Sequence, residues 1–390
     1  MSNYSLILIL KNQITSSPNQ QITFADYMNT VLYHPEYGYY SSKSNKIGNQ
    51  GDFFTSSSLC ADFGELLANQ FLEMWEKLDY PTQFTLVEMG AGTGVLADDI
   101  LNIIKTNYSD FYEALNYIII ETSFGLIEQQ KEKLAEHDFK ISWKTWEEIE
   151  NNSIIGCFFS NELVDAFPVH QVIVKSGKIK EIYITFSDKN QDILAEKIDN
   201  LSTSELEKYF QLIDIDLLSK DYPDGYRTEV NLKALSWLET ISNKLKQGYL
   251  LTIDYGYTAQ KYYNPQRYQG TLKCYYQHRH HDNPYINIGQ QDITAHVDFT
   301  ALEKYGKLCG LEKLGFTQQG LFLMALGLGD RLSSLSSGEY DLQTILSRRD
   351  ALHQLLDPTG LGGFGVLVQS KGLTEKQKER SLRSLFQFKP

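Results

Sequence analysis

The stretch Glu88-Met89-Gly90-Ala91-Gly92-Thr93-Gly94 constrains this chain more than any other segment. It follows Phe84-Thr85-Leu86-Val87, a short apolar run of the kind that forms a buried strand. It precedes Val95-Leu96-Ala97-Asp98-Asp99-Ile100-Leu101, whose apolar spacing is helical. A strand, a turn with every second residue glycine and a helix start let the backbone reverse tightly and approach a ligand. The helix start adds N–H groups with no intrahelical partner. The same turn can also serve plain connectivity, so the spacing has to decide.

The dinucleotide fingerprint is G-x-G-x-x-G. Here Gly94 comes one residue early, and Val95 stands where the third glycine belongs. Glu88, at the strand end, would oppose a pyrophosphate and suits a cation. S-adenosylmethionine carries an ammonium and a sulfonium, so an acidic E-x-G-x-G-x-G turn fits it. A second acid supports the same site. Asn116-Tyr117-Ile118-Ile119-Ile120-Glu121 is an apolar run ending in a carboxylate, about a helix plus a strand beyond the turn. In nucleotide-binding α/β folds an acid there binds the ribose hydroxyls. Taken alone, Glu121 reads equally well as a solvated surface acid.

At 390 residues, with 42% hydrophobic side chains, the chain is long enough for one large domain with insertions or for two domains. Its net charge of −13 argues against a nucleic-acid partner, because phosphate binding relies on clustered Lys and Arg. An acidic surface favours a basic protein or a small cation. Cys60, Cys157, Cys274 and Cys309 are far apart and lack zinc spacing, so they read as buried reduced thiols of a cytoplasmic protein. His278, His280 and His281 sit amid loop residues and read as a polar surface or substrate loop, with no metal expected. Leu6-Ile7-Leu8-Ile9-Leu10 is too short to span a membrane and lacks a basic leader; it reads as the start of a docked helix.

Residues 1–80 read as an N-terminal helical region, with Thr23 capping a helix and Gly51 to Ser58 forming a polar turn. Strand candidates follow at 84–88, 117–121, 140–143, 154–160, 249–254, 311–316 and 365–370. Their alternation with helical stretches predicts an α/β fold with a doubly wound, mostly parallel sheet over 81–390. Two segments break the rhythm. An insertion at about 169–228 begins with a hairpin around Lys175-Ser176-Gly177-Lys178 and continues as a polar helical stretch from Asp188 to Tyr226. A loop at about 255–297, dense in Tyr, His, Gln and Gly, lacks periodicity and points to function.

Ile154 to Ser160 reads as a buried strand that runs out into Asn161, Glu162 and Asp165. Ligands of open parallel sheets sit beyond the carboxyl ends of the strands, so these groups share a rim with Gly90–Gly94 and Glu121. Carboxylates three positions apart could converge on one cation, and a guanidinium, with its planar fork, is the obvious match. Helix capping by Asn161 or Asp165 is the competing reading. Tyr249 to Ile253 repeats the pattern and brings Asp254 and Tyr255 to the rim.

Five segments together resemble the MidA family: Gly51-Asp52-Phe53-Phe54-Thr55-Ser56, Glu88 to Gly94, Ser160 to Val169, Asp254-Tyr255-Gly256, and Gly289 to Phe299 with its Gln-Asp-Ile-Thr-x-His-Val-Asp-Phe pattern. The likeness runs from about residue 20 to 370, and Tyr275 to His281 looks most like the cyanobacterial and plastid branch. The resemblance implies a class I methyltransferase-like fold with a seven-stranded sheet, S-adenosylmethionine as cofactor and an arginine acceptor on a protein, such as a complex I-like dehydrogenase subunit. It implies that Gly90, Gly92 and Gly94 bind the methionine end, that Glu121 binds the ribose, and that Gly51, Asp52, Thr55 and Ser56 close over the cofactor. Glu162 and Asp165 would pair with the acceptor, with Asn161 and Asp254 orienting it. One departure is Ser57-Ser58, where the family has Pro-Glu, so a carboxylate contact expected there is missing. A methyltransferase fold that assembles or binds without chemistry is the alternative. A nicotinamide-dependent oxidoreductase is disfavoured by Val95.

Overall fold

The structure, a computed structural model, describes residues 3–41, 56–187, 190–335 and 341–385, with backbone alone for 57–58 and 190–192. Two units emerge. One comprises residues 1–53, 164–237 and 256–305; the other comprises 54–163, 238–255 and 306–390.

The second unit is built on seven strands: Phe84–Met89, Leu115–Ile120, Ile141–Trp143, Ile154–Asn161, Leu245–Asp254, Glu312–Gln318 and Gly365–Lys371. Counted along the chain, their order across the sheet is 3-2-1-4-5-7-6. The first five pair in parallel, while Gly365–Lys371 runs antiparallel to both of its neighbours. A parallel sheet covered on both faces needs apolar residues at nearly every position. Leu86, Val87, Phe158, Phe159, Leu250 and Leu251 meet that demand and are buried. The helices Asp62–Lys77 and Val95–Asn107 cover one face, inserting Phe63, Phe71, Ile100 and Leu101 against Tyr117, Phe159 and Leu251. The order reverses between the Phe84–Met89 and Ile154–Asn161 strands, which makes their carboxyl ends the topological switch point, where open α/β sheets bind ligands.

The first unit packs the helices Tyr4–Ser16 and Phe24–Tyr33 with an antiparallel sheet of five strands, among them His170–Lys175, Lys178–Ser187 and Arg227–Val230. Leu6, Leu10 and Ile14 form the buried stripe of the first helix, as the apolar N-terminal run implies. Thr23 and Asp26 form a capping box at the second. Ser176 and Gly177 both take positive φ, 51° and 71°, which a two-residue hairpin turn requires.

The insertion differs from its sequence reading in one respect. Asn190–Asp199, expected to be helical, is a strand antiparallel to Lys178–Ser187, and the helix is confined to Glu205–Ile213. Its sequence shows weak alternation of its own. Pairing with the preceding strand sets Leu194 opposite Phe186, and both border the N-terminal core. The stretch 1–80 divides between the units, because the Asp62–Lys77 helix contributes to the core of the parallel sheet. The segments 169–228 and 256–297 both lie in the first unit. The histidines sit on a small hairpin, Lys273–Tyr276 and Arg279–His281, with Gln277 and His278 at its tip. The four cysteines are free: Cys157 and Cys274 are buried, Cys60 and Cys309 only partly so. Among the described residues no helix is long and apolar enough to cross a membrane.

Candidate functional site

The glycine turn takes the conformation its composition allows. Gly90, Gly92 and Gly94 have φ of 75°, 53° and 83°. A side chain at Gly90 would also place its Cβ 2.8 Å from Leu163 Cδ1. Gly94 is the N-cap of the Val95–Asn107 helix, so the turn delivers that helix's first N–H groups to the sheet's carboxyl edge.

Glu88 is 3% exposed, and its Oε2 accepts the Tyr117 hydroxyl at 2.7 Å. Burial pushes its carboxyl up to about 7; the Tyr117 hydrogen bond pulls the other way, and the negative charge of Glu121 adds to the rise. Glu121 lies just past the end of the neighbouring strand. Its Oε1 accepts the N–H groups of Thr122 at 2.7 Å and Ser123 at 2.8 Å. Its Oε2 takes a longer contact of 3.4 Å from the amide of Gln130. Burial raises this carboxyl as well, against those hydrogen bonds.

The next two strand ends carry two more acids, Glu162 and Asp254. Glu162 is a non-glycine residue in the left-handed region, with φ of 53°, a costly conformation that surrounding contacts must enforce. Its N–H donates to the Ile253 carbonyl at 2.9 Å. Its Oε1 accepts the Ser56 N–H at 2.9 Å and the Asn161 amide at 3.1 Å. Burial pushes Glu162 up to about 7, the Ser56 N–H opposes this, and the charge of Asp254 adds to it. Asp254, fully buried, accepts the N–H of Leu163 at 3.1 Å on one oxygen and that of Tyr255 at 2.8 Å on the other. The Asn161 Oδ1 is buried and has no hydrogen-bond partner among the described residues. The Ser56 hydroxyl is held by Gln319, whose amide also donates to the Leu361 carbonyl at 3.0 Å.

The second unit therefore brings together Ser56, Glu88, Gly90, Gly92, Gly94, Glu121, Asn161, Glu162 and Asp254 along four adjacent strand ends. Asp165 belongs to the first unit, in the turn Val164–Ala166, where its carbonyl accepts the Ala295 N–H and its charge acts on the phenols of Tyr40 and Tyr275. Gly51, Asp52 and Thr55 lie outside the described residues. Among the described residues, no group of three His, Cys, Asp or Glu is placed to hold a metal ion. Sequence reading missed Tyr117, Gln130, Trp143 and Gln319. Tyr117 carried a faint signal, as the one phenol in an isoleucine-rich strand; a single glutamine in a helix carries none.

The chemistry of this donor set matches a ligand with a cation at one end and a diol further along. Two partly or fully buried carboxylates, each raised by burial, stand on the two strands beside the glycine turn, and a positive charge near Glu88 would relieve the cost of ionising it.

Comparison with known proteins points to the same cofactor. The family model described as "Putative S-adenosyl-L-methionine-dependent methyltransferase" matches residues 66–317. The mitochondrial protein arginine methyltransferase NDUFAF7 homolog of Drosophila melanogaster is 26% identical over 368 residues, covering 87% of this chain and 79% of that protein. Its human counterpart, NDUFAF7, is 27% identical over 395 residues, covering 93% and 83%. Among solved structures, a Burkholderia thailandensis protein bound to S-adenosyl-homocysteine superposes with a TM-score of 0.83 at 29% identity, covering 97% of this chain and 95% of that one.

Proposed function

The chain belongs to the family of S-adenosyl-L-methionine-dependent methyltransferases, and we propose that it methylates an arginine on a protein partner. Glu88 would face the cationic methionine end beside Gly90, Gly92 and Gly94, and Glu121 would take the ribose hydroxyls. When bound, the cofactor supplies a methyl group on a sulfonium, already a good leaving group, so the protein's task is alignment and a free lone pair.

One observation carries the acceptor reading: Glu162, held in the left-handed conformation with its carboxylate fixed by Ser56 and Asn161, beside the buried Asp254. Arginine is a hard nucleophile, because its charge is delocalised and its pKa exceeds ~12. A carboxylate on the far nitrogens concentrates positive charge there and leaves the remaining nitrogen richer in electrons. The methylated nitrogen must also give up one proton, and Glu162, whose carboxyl burial raises to about 7, would be the group to take it. The Asn161 amide donates to Glu162 through Nδ2, which leaves Oδ1 as an acceptor for an acceptor-side N–H. Asp254 binds the N–H groups of Leu163 and Tyr255 and so positions the turn that carries Glu162. Asp165 remains a proposed acceptor-side acid. The relatives' names supply the arginine; the proposed partner, a subunit of a complex I-like dehydrogenase, comes from the family resemblance. The four free thiols suit a reducing compartment, and we place the protein's work in the cytoplasm.

Mass spectrometry of candidate partners, with and without the protein, tests this reading. Methylarginine that appears only with the protein, and is lost in Glu162→Gln while cofactor still binds, supports it. Methylation confined to other residue types would overturn the arginine assignment.

A further inference from the structure

Gln130, on the Phe124–Lys133 helix, is fully buried although nothing in its sequence context marks it. Its hydrogen bonds fix which end of the amide is which. The Trp143 indole N–H, a donor only, lies 2.8 Å from Oε1, so Oε1 must be the acceptor. The NH₂ group then faces the Gly92 carbonyl at 2.8 Å and Glu121 Oε2 at 3.4 Å. A Cβ at Gly94 would lie 3.4 Å from Gln130 Cγ, so this side chain also packs against the far end of the glycine turn. One residue thus touches the turn at Gly92, flanks it at Gly94 and reaches the acid on the neighbouring strand.

We propose that Gln130 is a positioning residue for S-adenosylmethionine: it locks the glycine turn and Glu121 into one rigid cradle and, by donating to Oε2, aims that oxygen for the ribose. This rests on the assignment of Glu121 to the ribose. The division of labour on Glu121 supports it. Oε1 is occupied by Thr122 and Ser123, so Oε2, with one acceptor site left beside the Gln130 contact, is the oxygen that can accept a ligand hydroxyl. Gln130 aims that oxygen and opposes the upward pull of burial on the carboxyl. Trp143 holds the amide in the orientation that permits this.

The test is S-adenosyl-homocysteine binding by calorimetry between pH 5 and 8, for the full chain, Gln130→Met and Trp143→Phe, with a thermal melt of each. Gln130→Met keeps the volume and loses every hydrogen bond. It should weaken binding by about tenfold or more, and its loss of affinity on acidification should begin at higher pH than in the natural protein. A residue that merely fills space would move the melt and leave the pH profile in place. Trp143→Phe frees the amide to flip and should weaken binding a few-fold. Natural affinity and pH profile in Gln130→Met overturn the proposal. If that variant does not melt cooperatively, the same result in Trp143→Phe does so. Natural-strength binding by Glu121→Gln would instead overturn the ribose assignment, which separates the two failures.

Discussion

The two halves of this rim are built differently. In the half assigned to the cofactor, the carboxylate of Glu121 is held by residues one, two and nine positions away. Glu88 meets Tyr117, 29 positions on, and Gln130 meets Gly92 across 38. These contacts complete themselves once two strands and their helices have formed. In the half assigned to the acceptor, Glu162 is reached across 106 positions by Ser56, a residue expected to close over the cofactor, and Leu163 reaches Asp254 across 91. That half exists only when distant parts of the unit have assembled. The contrast suggests that cofactor binding and acceptor chemistry can be lost separately.

The largest expected effect is that of Glu162→Gln. Removing a fixed charge that acts on the reacting group typically costs about 10²–10³ in turnover. S-adenosyl-homocysteine affinity should stay unchanged. If affinity falls as far as turnover, the two halves are not separable. Glu121→Ala is the mirror experiment. Losing a charged acceptor of the ribose should raise the dissociation constant by about 10- to 100-fold, while turnover at saturating cofactor largely survives. A drop in saturated turnover with affinity intact would reverse the assignment of the halves.

The same contrast explains what could be read in the sequence. Glu88 to Gly94 is contiguous, and Glu121 follows at one helix and one strand, so the cofactor half lay within a single βαβ pattern. All seven strands of the sheet were readable; in its parallel centre, burial on both faces demands unbroken apolar runs such as Ile154 to Phe159. Asn161, Glu162 and Asp254 were visible only as polar residues at strand ends. Nothing local in Ser56 or Gln319 announces that they meet each other, or that Ser56 meets Glu162. The Asn190–Asp199 strand was missed for the same reason, since its conformation comes from its partner strand rather than from its own alternation.

Gly90→Ala probes the seam between the halves. At φ of 75°, with Leu163 Cδ1 at 2.8 Å from the new Cβ, the substitution strains the turn and pushes on the residue after Glu162. A loss of about 1–3 kcal/mol in stability is expected, with both cofactor affinity and turnover reduced. Gly177→Ala is the control: its φ is 71°, yet nothing lies within 4 Å of its Cβ. It should cost less, about 1 kcal/mol, and leave both functions alone. Equal melting shifts for the two variants would mean that backbone strain alone, without Leu163, sets the effect.

The smallest expected effect is a proton count. Burial raises Glu88 from the ordinary 4.5 to about 7, so the folded protein holds this proton more tightly than the unfolded chain does. Its contribution to stability is therefore present at low pH and is lost as pH rises through roughly 4.5 to 7. A cation beside Glu88 reverses the preference by favouring the carboxylate. Cofactor binding near pH 6.5 should then release up to about one proton, and affinity should rise with pH before levelling off above about 7. Calorimetry in two buffers of different ionisation heat measures that release. Glu162 titrates in the same range, so the comparison decides the source: the release should vanish in Glu88→Gln and persist in Glu162→Gln. The opposite pattern would place the cofactor's charge in the acceptor half and undo the division of the rim.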